Sequence, residues 1–221
     1  GEGVTEFIVD DEVFGMKGFE LGAYAEYLTI GQHQAVVKKP NELTHPEAAA
    51  LVFGGTTALY FLRNQAQIRA GQHILINGAS GSVGSSAVQI AKALGASVTA
   101  VCGPQNIKLM KSLGADKVVD YTKENIREHS NSYDVVMDTV GNLSLNDCEQ
   151  ILKPSGKCLL VMAGLPRMLQ AVSYSSRSPK KIQALTGTAA EDKNDVAFLA
   201  QLFVQKKLNP CLLYTSPSPR D

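Results

Sequence analysis

Residues 74–84, with the sequence ILINGASGSVG, constrain the fold more than any other part of this chain. A short apolar run that breaks into small residues and resumes with helical spacing is typical of a strand, a tight turn and a helix. Glycines at positions 78, 81 and 84 let the backbone turn sharply and approach a ligand without an intervening Cβ. The start of the helix would then offer N–H groups to a pyrophosphate. The stretch predicts a dinucleotide site, and a glycine-rich turn in another kind of α/β domain is the alternative.

Apolar strands alternate with helical segments around this turn, which is typical of a parallel sheet covered on both faces. The predicted strands cover residues 74–77, 97–102, 117–120, 133–138, 157–163 and 182–187. The predicted helices cover residues 85–95, 104–113, 123–129 and 143–152, with Asn142 as the expected cap of the last. Loops at the carboxyl ends of the strands would line one crevice, where ligands bind in such sheets. The sequence therefore predicts an α/β fold with a doubly wound parallel sheet.

The flanking segments have a different character. Residues 6–14 and 23–37 are rich in β-branched and aromatic side chains and predict short, mostly antiparallel strands. Residues 46–67 suit a helix interrupted at positions 54–57, where two glycines suggest the close approach of a bound ring or a neighbouring backbone, and ordinary helix packing is the alternative. Residues 192–207 carry apolar side chains on one face and predict an amphipathic helix.

Composition limits the classes of partner. The 21 basic and 21 acidic residues balance without any block of like charge, so we expect neither nucleic acid nor a membrane surface as a partner, and a small-molecule substrate instead. The 4 cysteines are widely spaced without a metal-binding pattern, which is typical of a reducing compartment. A cytoplasmic location is the resulting expectation, although a targeting signal could precede Gly1.

Both ends of the sequence suggest an incomplete protein. Gly1 already lies within a pattern of turns and strands, so we expect that a front segment is missing. Residues 211–221 resemble the translation of a transposase sequencing adaptor and are predicted to be a non-native tail, with Leu212 and Tyr214 packing against nothing. An ordinary Ser/Pro-rich tail is the alternative.

Several motifs follow one another in the order of a known superfamily. They are at residues 12–15, 22–27, 48–59, 78–84, 91–96, 113–116 and 120–121. The chain resembles the medium-chain dehydrogenase/reductase superfamily, and within it the zinc-free quinone oxidoreductase and enoyl reductase branch. The resemblance implies a mainly β, GroES-like catalytic domain split around a Rossmann domain. It assigns residues 1–60 to part of the catalytic domain, 61–190 to the NAD(P)-binding domain and 191–210 to the return into the catalytic domain, and implies a homodimer.

The resemblance also implies that zinc is absent. Phe53 stands where zinc-dependent relatives place a cysteine ligand, and a phenyl ring does not bind metal. The lobe that holds structural zinc in those relatives would be inserted between residues 12–13 and 22–24, and this chain crosses that gap without a cysteine. The histidines at positions 33, 45, 73 and 129 are scattered and show no ligand spacing.

The second strand of the predicted sheet bears on the choice of cofactor. An NAD site needs a carboxylate at the end of this strand, and a 2′-phosphate would be repelled by it. Because this strand ends at Cys102 without an acid, we expect NADPH rather than NADH. Relatives often carry a basic residue just after the strand, whereas here Asn106 comes before Lys108. We expect Cys102, Asn106 and Lys108 to lie beside the cofactor. Tyr121 matches a tyrosine beside the 2′-phosphate in relatives, and capping the strand is its alternative role.

The resemblance assigns further residues to the site. Thr57 would contact the nicotinamide. The pyrophosphate would be bound by Gly81, Ser82 and Val83, in a turn with Ser80 and Gly84. The far wall of the pocket would be formed by Val140, Gly164 and Leu165. The proton donor of enoyl reductases is a tyrosine in the missing front segment, so no catalytic residue is assigned and the chain alone is expected to be inactive. The implied reaction is NADPH-dependent reduction of a quinone or an activated carbon–carbon double bond. A zinc-independent alcohol or aldehyde reductase and a non-enzymatic dinucleotide-binding protein are the alternatives.

Overall fold

The computed structural model describes residues 1–18, 20, 22–187, 189 and 192–210. These residues divide into two compact units, one within residues 54–190 and the other made of residues 1–53 and those from 192 onward. The expectations for the tail, including Leu212 and Tyr214, lie outside the described residues. The domain assignment with its boundary at residue 60 stays a prediction.

Fourteen α-helices and β-strands are assigned within the described residues. In chain order they are β1 (Val13–Gly15), β2 (Val36–Lys38), α1 (His45–Leu59), β3 (His73–Asn77), α2 (Ser82–Ala93), β4 (Ser97–Cys102), α3 (Ile107–Ser112), β5 (Lys117–Asp120), β6 (Tyr133–Asp138), α4 (Leu145–Ile151), β7 (Leu152–Leu160), α5 (Leu165–Arg177), β8 (Gln183–Leu185) and α6 (Lys193–Val204). A π-helical segment, Tyr60–Gln65, continues α1.

The larger unit is built on a parallel sheet with the strand order β5-β4-β3-β6-β7-β8. The order reverses beside β3, because the chain first adds strands on one side and then crosses to the other. Central strands are covered on both faces, so their apolar residues run almost without a break; Ile74, Leu75 and Ile76 are all fully buried. The predicted doubly wound α/β sheet is confirmed.

One core cluster lies between the sheet and the helices α4 and α5. It contains Val136 of β6, Cys148 and Ile151 of α4, and Cys158 and Leu160 of β7, all buried. Each buried valine, leucine or isoleucine side chain contributes about 1.5–3 kcal/mol when it leaves water. The cluster fixes α4 against β7, and thus also fixes the position of the loop that leads from β6 into α4.

The smaller unit contains the antiparallel pair of β1 and β2, against which α6 packs. Val196 and Leu199 are fully buried on α6, as the amphipathic pattern predicts. Lys193 at the start of this helix forms an ion pair with Glu6 and donates to the carbonyl of Gln32 at 3.1 Å. These contacts connect the C-terminal helix to the N-terminal residues of the same unit.

Several expected elements are different in the structure. The strands expected over 6–14 and 23–37 reduce to three residues each, because Tyr24 and Tyr27 are exposed and no buried face supports a longer strand. The helix expected over 123–129 is only a 3₁₀ turn, Ile126–Glu128, in which Ile126 alone is buried. The Ser144 hydroxyl, rather than Asn142, caps α4 by accepting from the amide of Asp147 at 3.0 Å.

Two further differences concern helices. Helix α1 runs through Gly54 without a break, and a Cβ at this position would lie 2.6 Å from the carbonyl oxygen of Ser82. A neighbouring backbone therefore explains the glycine. Helix α5 has no counterpart in the sequence prediction. Its apolar residues Leu165, Leu169 and Val172 are exposed while Ala171 is buried, so apolar periodicity does not mark its buried face.

Candidate functional site

The glycine turn, residues 78–81, connects β3 to α2 at the carboxyl edge of the sheet. Gly78 adopts a φ of +78°, which is in the left-handed region that glycine tolerates best. A Cβ at Gly84 would lie 2.3 Å from the carbonyl oxygen of Gly78, so only glycine lets α2 start this close to the turn. The turn is also held from β4, because the amide of Ala79 donates to the carbonyl of Val101 at 2.9 Å.

Gly81 is different from the other two glycines of the motif. It is the N-terminal flanking residue of α2, with ordinary extended dihedral angles of −74° and 171°. A Cβ added there would have only the carbonyl oxygen of Gly78 nearby, at 3.6 Å. The packing of the chain therefore leaves room at Gly81, and the first N–H groups of α2, which lack partners within the helix, lie beside that room. This arrangement suits an anionic group that approaches the backbone closely.

A cavity of about 920 Å³ opens in front of the turn. Its walls come from the glycine turn, from the end of β4, and from the segments that follow β5 and β6. Such a volume lies within the range of pockets that hold small molecules and cofactors. The cavity is at the reversal of the strand order, where ligands bind in open α/β sheets.

The structure brings six of the thirteen expected site residues into the wall of this cavity: Ser80, Gly81, Cys102, Asn106, Tyr121 and Val140. The other seven lie elsewhere in the larger unit. Ser82, Val83 and Gly84 form the first turn of α2, Thr57 is half-buried on α1, Lys108 is exposed on α3, and Gly164 and Leu165 begin α5. Their role in binding stays a prediction.

The cavity wall also contains charged residues that were not expected. Lys123, Glu124 and Arg127 follow β5 and line the cavity beside Tyr121. Glu124 is engaged by the Lys117 ammonium at 2.9 Å and by the His129 ring at 2.6 Å. The run TKENIRE after Tyr121 could have indicated basic residues in the cavity wall, but its two glutamates balance its two basic residues in the sequence. Only the ion pairs seen in the structure show which of these charges are already paired.

Asp120 is the carboxylate nearest to the end of β4, because it is the register partner of Cys102. Its pKa is lowered, chiefly by hydrogen bonds from the hydroxyl and the amide of Thr122, with a smaller contribution from Lys123. The residue is 8% exposed and does not line the cavity. Burial, and then the charge of Asp120, raise the pKa of the Cys102 thiol, so this cysteine stays protonated and is a poor nucleophile.

The β6 loop, residues 139–143, forms the wall opposite the charged end. Asp138, which precedes it, is fully buried, and its carboxylate accepts from the backbone amides of Val140, Gly141 and Leu143 at 3.0–3.2 Å. The side chain of Asn77 donates to Asp138 at 2.9 Å and to Asn142 at 2.7 Å. This network replaces the expected capping role of Asn142 and connects the ends of β3 and β6.

The described residues bear on metal binding and on membrane insertion. No group of three or more His, Cys, Asp and Glu side chains there could hold a metal ion. None of the helices in those residues combines the length and the apolar character that a membrane span requires.

The fold and the crevice define an α/β protein of the dinucleotide-binding, Rossmann-like class. Residues 82–204 match the zinc-binding dehydrogenase family. The chain belongs to this family, and within the medium-chain dehydrogenase/reductase superfamily to the quinone oxidoreductase-like branch, which confirms the resemblance seen in the sequence.

Three similar proteins illustrate the membership. The chloroplast envelope quinone oxidoreductase homolog of Arabidopsis thaliana is 36% identical over 84% of this chain and 59% of its own length. The 2-methylene-furan-3-one reductase of Solanum lycopersicum is 41% identical over 64% of this chain and 36% of its own. The solved quinone oxidoreductase of Coxiella burnetii superposes with a TM-score of 0.85 at 27% identity, over 96% of this chain and 66% of that one. The chain thus spans about a third to two thirds of these relatives.

Proposed function

We propose that this protein is an NADPH-dependent oxidoreductase that transfers a hydride to a quinone or to an activated carbon–carbon double bond without using zinc. The observation that carries the proposal is the crevice of about 920 Å³ in front of the glycine turn. The names of the relatives support the acceptor class. Two are quinone oxidoreductases or homologues of one, and a third is named for a methylene group conjugated to a ketone.

The residues around the crevice suit this chemistry. A bound nicotinamide dinucleotide would supply the hydride, so the protein needs mainly to hold and orient it and to exclude water. The glycine turn and the first turn of α2 would bind the pyrophosphate, and Val140 would face the nicotinamide half, with Thr57, Gly164 and Leu165 as further candidates. We assign no proton donor among the described residues.

NADPH is favoured over NADH by the charges at the β4 and β5 end of the crevice. Cys102 offers no carboxylate to a ribose. Asp120 is buried outside the cavity wall; its Oδ1 accepts from Thr122, and its Oδ2 is buried without a hydrogen-bond partner among the described residues. Lys123 and Arg127 line the wall there. The guanidinium of Arg127 is paired with the Asp147 carboxylate at 2.9 Å, and the carboxylate of Glu124 is paired with Lys117. A 2′-phosphate would thus meet the ammonium of Lys123, whereas an NAD site would need an acid in the cavity wall that is not already paired.

Zinc independence is supported by the identity of the residues rather than by any missing ion. Phe53, at the position of a cysteine ligand in zinc-dependent relatives, is exposed on α1 and has no group that can bind a metal. The thiols of Cys102, Cys148 and Cys158 are buried, and the latter two contact each other within the core rather than a ligand site. The family name refers to its zinc-binding members, and this chain departs from their ligand pattern.

A homodimer and a cytoplasmic location complete the proposal. The relatives include proteins named for the chloroplast envelope and for mitochondria, so an organellar location is the competing outcome. Imaging of a tagged protein expressed from its own complete transcript separates these locations, and light scattering measures the mass in solution.

Cofactor binding is the first test. We expect the emission of NADPH to be enhanced at lower protein concentration than the emission of NADH, because only NADPH carries a phosphate that would meet Lys123. Equal affinities would contradict the cofactor preference.

Turnover is then measured with a para-quinone, an α,β-unsaturated ketone and an aldehyde, each with and without a chelator. Reduction of the aldehyde alone would favour an alcohol or aldehyde reductase. Inhibition by the chelator would contradict zinc independence. Binding of NADPH without turnover by the full-length protein would favour the non-enzymatic alternative.

A further inference from the structure

Arg167, on the helix that the sequence pattern does not reveal, reaches the β6 loop. Its Nη1 donates to the carbonyl of Gly141 at 2.6 Å, and its Nη2 donates to the carbonyl of Leu143. Nη2 also lies 3.4 Å from the Asp138 carboxylate. One planar guanidinium therefore contacts two loop carbonyls and the carboxylate that holds the loop amides.

Asp138 and Arg167 bind opposite kinds of backbone group in the β6 loop, the one accepting hydrogen bonds and the other donating them. The carboxylate takes the N–H groups of Val140, Gly141 and Leu143, while the guanidinium takes the C=O groups of Gly141 and Leu143. Asp138 is fully buried, and the side chain of Arg167 is 23% exposed. Ion pairs with this little contact to solvent are weakly screened, so the pair fixes the loop rather than merely touching it.

The loop in turn bears on the glycine turn. The Thr139 hydroxyl donates to the carbonyl of Asn77 at 2.7 Å and lies 3.2 Å from that of Gly78. A Cβ at Gly78 would come within 2.5 Å of Thr139 and Val140, which shows how tightly the two segments pack. Thr139, Val140, Asn142 and Leu143 also line the cavity. Any movement of the β6 loop would therefore change the cavity wall and its contact with the turn.

We infer that Arg167 is a positioning residue, which fixes the β6 loop from α5 so that Val140 and Thr139 are held against the nicotinamide half of a bound dinucleotide. The inference deepens the proposed function and rests on it for the ligand. In the proposed binding mode, the adenosine half of the dinucleotide lies at the β4 and β5 end of the crevice. The strand order separates that end from the β6 loop, because β6 lies on one side of β3 while β4 and β5 lie on the other. Loosening the β6 loop should thus weaken the binding of the nicotinamide half of the ligand and leave the binding of the adenosine half unchanged.

The test compares Arg167→Gln with Arg177→Gln, an exposed arginine at the far end of the same helix. Binding is measured with NADPH and with 2′,5′-ADP, which lacks the nicotinamide half. We expect R167Q to lower the affinity for NADPH about tenfold while the affinity for 2′,5′-ADP stays unchanged. R177Q should bind both as the wild type does. Arg167→Lys should recover part of the loss, because an ammonium can reach one carbonyl but lacks the fork of the guanidinium.

Hydrogen exchange of the ligand-free chain gives a second reading. In R167Q the amides of Val140, Gly141 and Leu143 should exchange faster, while those of β3 and β4 keep their rates. An equal loss for both ligands would indicate a general structural effect and overturn the positioning role, as would unchanged affinity and exchange. Failure of the wild-type chain to bind NADPH would instead overturn the proposed function, and the exchange rates would still decide whether Arg167 fixes the loop.

Discussion

The two ends of the crevice are built in different ways. At the β3 and β6 end, the glycine turn and the β6 loop are held by buried backbone contacts and by the carboxylate of Asp138, which is fully buried. At the β4 and β5 end, the wall consists of side chains such as Tyr121 and Lys123, which are exposed. Backbone contacts at close range tolerate little change, whereas exposed side chains can be exchanged at little cost to the fold. We therefore expect the first end to set the shape of the site, and the second to set the preference between NADPH and NADH that we propose.

Substitutions at two glycines of the same motif should separate an effect on stability from an effect on cofactor binding. The loss of stability in the first of them is the largest effect that we expect. In Gly84→Ala the new Cβ would lie 2.3 Å from the carbonyl oxygen of Gly78 and 2.7 Å from the Cα of Ala79, so backbone must move. We expect a loss of about 3 kcal/mol in the free energy of unfolding. Urea unfolding followed by circular dichroism measures it.

Gly81→Ala is the matched control, because its Cβ would face open space with the nearest atom at 3.6 Å. Its stability should fall by less than about 1 kcal/mol, the cost of alanine for glycine at a helix start. Its affinity for NADPH should fall about tenfold or more, since the methyl group enters the room for the pyrophosphate. If Gly81→Ala were the more destabilising of the two, the assignment of one glycine to packing and the other to the ligand would be wrong.

The parts that could be predicted from the sequence are those that the backbone determines. The run at 74–84 combines an apolar strand with three glycines, and both the parallel sheet and the turn follow from that local pattern. The β6 loop network could not be predicted, because the contacts of Asp138 with Asn77 and Arg167 span 61 and 29 residues. Helix α5 was missed for a related reason: its exposed leucines give no periodic signal of a buried face.

The charged end shows a limit of another kind. Lys108 was expected to be near the cofactor because relatives carry a basic residue after β4, and the structure places it exposed on α3, outside the cavity wall. Lys123 lies in that wall but sits in sequence between acidic residues, so composition alone suggests a neutral surface. The ion pairs of Glu124 with Lys117 and His129, and of Arg127 with Asp147, become visible only in the structure, and they distinguish these paired charges from Lys123 in the cavity wall.

Charge substitutions can sharpen this contrast. We expect Lys123→Gln to lower the affinity for NADPH about fivefold, and to leave NADH binding unchanged, because it removes one cation near the expected 2′-phosphate. Lys108→Gln should have the smaller effect, since the residue lies outside the wall. The measurement is a titration with both dinucleotides at low and high salt, and the difference between the variants should shrink as salt screens the charge. A larger loss in Lys108→Gln would restore the position that the resemblance implied.

The smallest expected effect lies at the opposite edge of the sheet, where His73 begins β3. Its ring is 2.9 Å from the Thr99 hydroxyl and packs against the ring of Tyr133. Burial lowers the pKa of His73, and Lys153 adds to this, while Asp134 partly opposes it. Because the unfolded chain then binds more protons than the folded chain, this histidine makes the protein less stable as pH falls from about 6.5 towards the lower folded value.

Unfolding of the wild type and of His73→Gln at pH 7.5 and pH 5.5 measures this contribution. The wild type should lose more stability than the variant on acidification, since glutamine does not titrate in this range. NADPH binding by the two proteins should remain equal at neutral pH, because His73 lies at the amino end of its strand and the crevice lies at the carboxyl ends. Equal acid sensitivity would show that the burial of His73 carries no cost of protonation. A change in binding would show instead that the two edges of the sheet are coupled, and that the shape of the crevice depends on more than the contacts of the glycine turn and the β6 loop.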